Sequence, residues 1–272
     1  EGGAGPFSDG KLTTNIKSPW AQHVLHLFVE AGAPEEILWQ AKPHIGTDLL
    51  VDIVRNIRKQ IEQAGGEVRF NTQLTALHFE NGHLTQAEIT SLQPTQTLRG
   101  RSTNCPDTAR FETTAESIPA SRVVLACGHS ARDTFELVRD AGVHMEQKPF
   151  SVGVRIEHPQ QLINRSQYGK AAGHPALGAA DYKLSMHLRP QKGEEQGRGV
   201  YTFCMCPGGE VVCAASEPEG VVVHGMSRVA RDGQNANSAL LVGVGPEDFD
   251  GEDPLAGIKL QREMEQTAYR TA

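Results

Sequence analysis

The stretch Arg122-Val-Val-Leu-Ala-Cys-Gly-His-Ser-Ala-Arg-Asp133 constrains this chain more than any other. Arg122 to Ala126 reads as a short buried strand. Gly128 supplies a tight turn with no side chain in the way. Ser130 is placed to cap the helix that follows, and Asp133 stands three residues later, where the acid of a capping box belongs. A strand that ends on bare backbone beside a helix N-terminus is a corner of a parallel sheet. Its free N–H groups and its dipole favour anions, so the corner suits a ligand that carries phosphates.

Around this corner the pattern predicts two regions. Glu1 to Lys17 is a Gly-rich loop. Ser18 caps a helix from Trp20 to Ala31 with Pro19 in its first turn and Gly32 after it, and a short second helix runs from Pro34 to Trp39. Thr47 caps the clearest helix, Thr47 to Ala64, whose Leu49, Leu50, Ile53, Val54, Ile57 and Ile61 share one face. Gly65 and Gly66 stop it, and Glu67 to Phe70 is a short strand. Gln73 to Phe79, His83 to Ser91 and Phe111 to Ala115 form a meander, with Glu80-Asn-Gly-His83 as its hairpin turn and a loop from Leu92 to Arg110. Ser130 to Ala141 is a helix closed by Gly142.

Past a boundary near Met145 to Pro149 the pattern becomes mostly antiparallel strand: Ser151 to Glu157, Tyr182 to Leu188, Gly199 to Met205, Glu210 to Ala215 and Val221 to Gly225. Val152, Val154 and Ile156 share one strand face, and Arg155 on the other face reads as a solvated charge. Pro159 to Arg165 is one or two helical turns, Gly193 to Gly199 an exposed turn, and Pro254 to Tyr269 a final helix. The class is α/β (α+β overall).

Composition narrows the partners. A net charge of −7 argues against a nucleic-acid surface. No apolar run approaches the length that spans a membrane. Five cysteines in 272 residues read as reduced thiols of a cytoplasmic protein rather than a disulfide framework.

Four segments together carry a resemblance: Glu1-Gly-Gly-Ala-Gly-Pro-Phe-Ser-Asp-Gly-Lys-Leu12, Val124 to Glu136, Lys148-Pro-Phe-Ser-Val-Gly-Val-Arg-Ile-Glu-His158 and Tyr201-Thr-Phe-Cys-Met-Cys-Pro-Gly-Gly-Glu-Val211. With them the chain resembles a bacterial family of uncharacterised FAD-dependent dehydrogenases, distant relatives of glutathione-reductase-type flavoproteins. The resemblance implies a partial, Rossmann-like FAD-binding domain over residues 1–147 and a mostly antiparallel substrate or cap domain over 148–272. The family's G-x-G-x-x-G turn and its closing Gly-rich FAD segment have no counterpart here. The expectation is therefore an internal fragment of a larger flavoprotein, one that by itself binds FAD weakly or not at all.

The resemblance also implies cofactor contacts at Gly3, Gly5, Ser8, Asp9, Gly10 and Lys11, at Leu74, and at Cys127, Gly128 and His129. Lys11 would bring positive charge to the electron-rich edge of the flavin. Against this stand a frayed terminus, core packing of Leu74, a small buried hydrophobe at Cys127 and a structural hydrogen-bonder at His129. Arg155, His158, Arg228, Arg231, Asn235 and Asn237 are the polar candidates of the second half, and Arg155, Arg231, Asn235 and Asn237 are those put forward for a substrate pocket, since guanidinium and amide donors hold an anion or the flavin's carbonyl edge. Ordinary turn chemistry accounts equally for Ala230 to Ser238. Cys204, Cys206 and Cys213 lack the paired spacing of a zinc site and read as core. The function expected is FAD-dependent oxidation or reduction of a small molecule. The alternatives are a non-catalytic flavin-binding or regulatory module and, third, a thiol redox protein using Cys204 and Cys206.

Overall fold

Helix α2, Thr47–Gln63, organises the N-terminal part of the chain. Its apolar stripe, spaced at 3.6 residues, turns Leu50 and Ile53 inward against Ile37, Ile45, Ala31 and Ala33, which together make the main buried cluster. Helix α1, Pro19–Glu30, feeds that cluster from its C-terminal end, and Ser18 Oγ accepts the Trp20 N–H as its cap. Glu35–Leu38 is a single 3₁₀ turn where a second helix is expected. The cap of α2 is Gly46, at φ 82°, not Thr47. The Thr47 hydroxyl instead donates to Ser227 O at 3.2 Å, a tertiary bond that a local reading does not see.

The computed structural model describes residues 10–14, 16–94, 111–190 and 197–271. The Gly-rich opening to residue 9, most of the expected 92–110 loop and residues 193–196 of the expected turn lie outside these. All pairing among the described strands is antiparallel. Two units are distinguished, one of residues 1–66, 148–251 and 259–272, the other of 67–147 and 252–258.

The smaller unit holds the expected meander, β1 (Thr72–Glu80), β2 (His83–Pro94) and β3 (Phe111–Pro119), in the order β1-β2-β3. Asn81 and Gly82 both have positive φ, 51° and 78°, the turn that Asn-Gly favours because neither residue is strongly penalised there. Helix α3, Arg132–Asp140, is anchored to β1 through Gln73 Nε2 and Asp133 Oδ2.

The corner expected at Arg122 to Asp133 is different. Neither Arg122 to Ala126 nor Glu67 to Phe70 forms a strand. Val124 is 89% exposed, and no described backbone group bonds to residues 121–129. A strand exists only when a neighbour takes its N–H and C=O groups, and the described residues offer none here. Gly128 does adopt positive φ, 76°. Helix α3 starts two residues later than expected and is capped by Ala131 without a side-chain bond; Ser130 Oγ pairs with His129 Nδ1 instead. Asp133 is spent on Gln73, so there is no capping box.

The larger unit carries a four-stranded sheet in the order β4-β9-β6-β5, formed by β4 (Phe150–Pro159), β5 (Ser185–His187), β6 (Gly199–Cys206) and β9 (Asn235–Val244). A hairpin of β7 (Glu210–Cys213) and β8 (Val223–Met226) stands beside it. Helix α4, Gln160–Tyr168, follows β4 directly, and α5, Ala256–Thr271, ends the described chain. The inner strand β9 is not anticipated by the loop reading of Ala230 to Ser238. The burial of β4 is also reversed: Val154 and Ile156 are exposed, while Arg155 is half-buried among polar partners.

Two outcomes are expected. Ile53 is 2% exposed and Ile61, on the same helix, 45%. Ile53→Ala should cost about 3 kcal/mol in urea denaturation, and Ile61→Ala less than about 1 kcal/mol. Arg198 donates to both oxygens of Asp248, at 2.8 and 2.6 Å, and this pairing holds the Asp248 carboxyl below its ordinary value of 3.8. A depressed carboxylate stabilises the fold above its ordinary value and stops doing so as pH falls through the lowered one. Asp248→Asn should therefore cost about 1 kcal/mol at neutral pH, after allowance for solvent screening, and progressively less as pH falls below 3.8 and through the lowered value.

Candidate functional site

The site forms at the C-terminal end of β6. The pairing of β6 with β9 slips by one residue between Phe203 and Cys206, a β-bulge with Cys204 at φ 48°. The bulge turns Cys206 against Asn237, both 0% exposed. The chain then reverses through Pro207-Gly208-Gly209 into β7.

That reversal packs backbone on backbone against the turn that leads into β9. A Cβ on Gly208, which has φ 55°, would lie 2.1 Å from Arg231 O, and one on Gly233 would lie 2.4 Å from Gly208 O. Gly233 N–H donates to Gly208 O at 3.2 Å. Glycine is needed at both positions because any side chain would separate the two turns. Between them and the end of β8 lies a cavity of about 360 Å³. Its walls include Gly208, Gly209, Ser227, Arg228, Gly233 and Gln234, with the carboxylates of Glu210 and Asp232 also at its lining. The segment around Ser227 is tied to the start of α2: Thr47 N–H donates to Ser227 O, and Val229 N–H to Asp48 Oδ1.

Positive charge gathers beside this turn. Lys11 bridges to His44 through its backbone and donates from Nζ to Met205 O at 2.6 Å, with Cys206 Sγ 3.7 Å away. Gly10 is buried at φ 65°, and its carbonyl accepts Ile45 N–H at 3.0 Å. Arg155 donates from one terminal nitrogen to Asn237 Oδ1 and Cys204 O, and has no carboxylate partner among the described residues. Gly225 makes room for this pair, since a Cβ there would stand 2.2 Å from both Arg155 Nη1 and Asn237 Oδ1. Asn237 Nδ2 and Arg231 Nε are shut off from solvent and have no partner among the described residues. Such buried donors call for an acceptor. Nearby, His158 Nε2 lies 2.8 Å from Tyr182 Oη. Burial pushes the Tyr182 phenol upward, while a bond with Ser238 and the charge of Arg155 pull it back.

The larger unit thus brings together Gly10, Lys11, Arg155, Arg231 and Asn237. Asn235 is turned aside to Glu157, with Nδ2 2.7 Å from Oε1. Leu74, Cys127, Gly128 and His129 belong to the smaller unit, Leu74 half-buried on β1 and the other three exposed. Gly3, Gly5, Ser8 and Asp9 lie outside the described residues. Among the described residues no group of three His, Cys, Asp or Glu side chains is placed to hold a metal ion. Sequence reasoning held Gly233 and Gln234 within the donor-rich stretch Ala230 to Ser238 and Gly208 within the Pro207-Gly-Gly turn without joining the two, and it missed Ser227, for which the sequence carries no local signal. Gly208→Ala should destabilise the larger unit by about 2–3 kcal/mol, read by urea denaturation, because its Cβ meets backbone that has nowhere to move.

Residues 149–272 match the family described as FAD-dependent protein, C-terminal domain-like. A curated protein of Clostridium beijerinckii, described as an uncharacterized protein, is 47% identical over 270 residues, which cover 99% of this chain and 45% of that relative. The chain therefore spans a little under half the length of the curated relative it matches. The matched family segment begins one residue before β4 and contains Arg155, the glycine turns, the cavity and Asn237. The part of the chain that builds the candidate site is thus similar to an FAD-dependent family, and this supports a flavoprotein-related role.

Proposed function

We propose that this chain is part of an FAD-dependent oxidoreductase of the dehydrogenase kind, acting on a small molecule, with its division into domains near 147/148 and a cytoplasmic location. One observation carries the reading: the segment similar to an FAD-dependent family is the one that builds the glycine-walled cavity with charged and amide donors beside it. Its charge of −7 fits a small-molecule partner better than a nucleic acid, and no described helix is long and apolar enough to cross a membrane.

The donors fit one end of the cofactor and not the other. A flavin ring presents two carbonyl oxygens and two acceptor nitrogens beside a single N–H donor, and Asn237 Nδ2 and Arg231 Nε are buried donors without an acceptor among the described residues. Arg155, Lys11, Arg231 and Asn237 are therefore the residues that would hold the ring edge. The phosphates have no comparable seat among the described residues, because Arg122 to Asp133 forms no strand and its helix starts late. When bound, the cofactor supplies hydride or electron transfer. This chain's residues bind and orient. Asn237 is fixed by Arg155. Tyr182 and His158 form a pair able to hold a proton 2.8 Å from its partner.

The test is a visible absorption spectrum of the protein expressed from its full reading frame, before and after dithionite. Flavin bands that bleach are the expected result. Bands that persist would favour a flavin-binding module without turnover. A colourless protein, still colourless after incubation with FAD, would overturn the proposal.

A further inference from the structure

Gln160 is the first residue of α4 and is 6% exposed. Its backbone N–H donates to Gln234 O at 2.9 Å. Its side-chain Oε1 accepts Gly208 N–H at 2.8 Å. Gly208 and Gln234 line the same cavity from the two different turns, so one residue holds both walls. The rest of the amide is fixed as well: Nε2 donates to Asn164 Oδ1 at 2.8 Å and to Ala180 O at 2.9 Å, and Asn164 Oδ1 accepts Ala180 N–H in turn.

This arrangement demands an amide. A carboxylate in its place would keep the acceptor for Gly208 but lose both donors, and would leave a charge buried beside two oxygens. An apolar side chain of the same length would leave Gly208 N–H, Ala180 O and Asn164 Oδ1 each short of a bond.

We infer that Gln160 is a positioning residue of the cavity: it sets the separation and orientation of the two glycine turns, and through them the environment of whatever the cavity faces. The functional half of this inference rests on the reading of the cavity as facing the flavin; the holding of the walls does not.

The experiment uses the protein from its full reading frame, loaded with FAD, as wild type, Gln160→Met and Gln160→Glu. Hydrogen exchange followed by mass spectrometry reads the peptides that contain 207–210 and 232–235, with β1 to β3 as reference. Visible circular dichroism of the bound flavin reads the cavity. In Gln160→Met, exchange should rise about tenfold or more in both wall peptides and stay constant in the reference, and the flavin dichroism should change. Gln160→Glu, which keeps the acceptor for Gly208 and the backbone bond to Gln234 but loses both donors and buries a charge, should raise exchange in both wall peptides by less than Gln160→Met does and change the flavin signal, and it decides the matter if Gln160→Met does not fold. Unchanged exchange at both walls in a folded variant would overturn the inference. Faster exchange with unchanged flavin dichroism would also overturn it, reducing Gln160 to a structural tie. If the wild type takes up no FAD, the flavin reading fails, and the exchange data alone decide whether Gln160 holds the walls.

Discussion

Two glycine turns touch through their backbones, and the candidate site exists only because they do. Gly208 and Gly233 exchange a hydrogen bond at a distance that no Cβ would permit. The contact brings the end of β6 and the start of β9 together, and those two strands carry Cys206 and Asn237 to the same point. Arg155 then reaches across from β4, through a space that Gly225 keeps open. Replace any of these glycines and the neighbours must separate. The cavity, the buried donors and the cations beside them are consequences of one close approach.

The electrostatics follow from the same geometry. A guanidinium set half-buried without a carboxylate partner is costly unless neutral acceptors take its protons. Asn237 Oδ1 and Cys204 O do so for one nitrogen, and the bulge at Cys204 is what aims that carbonyl. The left-handed backbone of Cys204 carries a strain of about 1 kcal/mol, a modest cost set against an unsatisfied buried cation.

Legibility in the sequence tracked distance along the chain. Ser18-Pro19 and Asn81-Gly82 act on their own neighbours, so α1 and the hairpin were readable. The stripe of α2 was readable for the same reason, while its cap was not, because Thr47 spends its hydroxyl on Ser227, 180 residues away. Arg122 to Ala126 has the composition of a buried strand, and composition cannot supply the neighbour that makes one. The inward turn of Arg155 depends on Asn237, 82 residues distant. Lys11, Arg155, Arg231 and Asn237 were visible as polar candidates, but the glycines that gather them look like any turn residues until the two turns meet.

The bonds that hold the two glycine turns of the cavity come from backbone groups and from the uncharged amides of Gln160 and Asn164. None of these groups gains or loses a proton in ordinary conditions. Elsewhere in the same unit the pairing of Arg198 with Asp248 weakens in acid. Acidity therefore reaches the fold around this site through Asp248, while the contact between the two glycine turns is made without a titratable group.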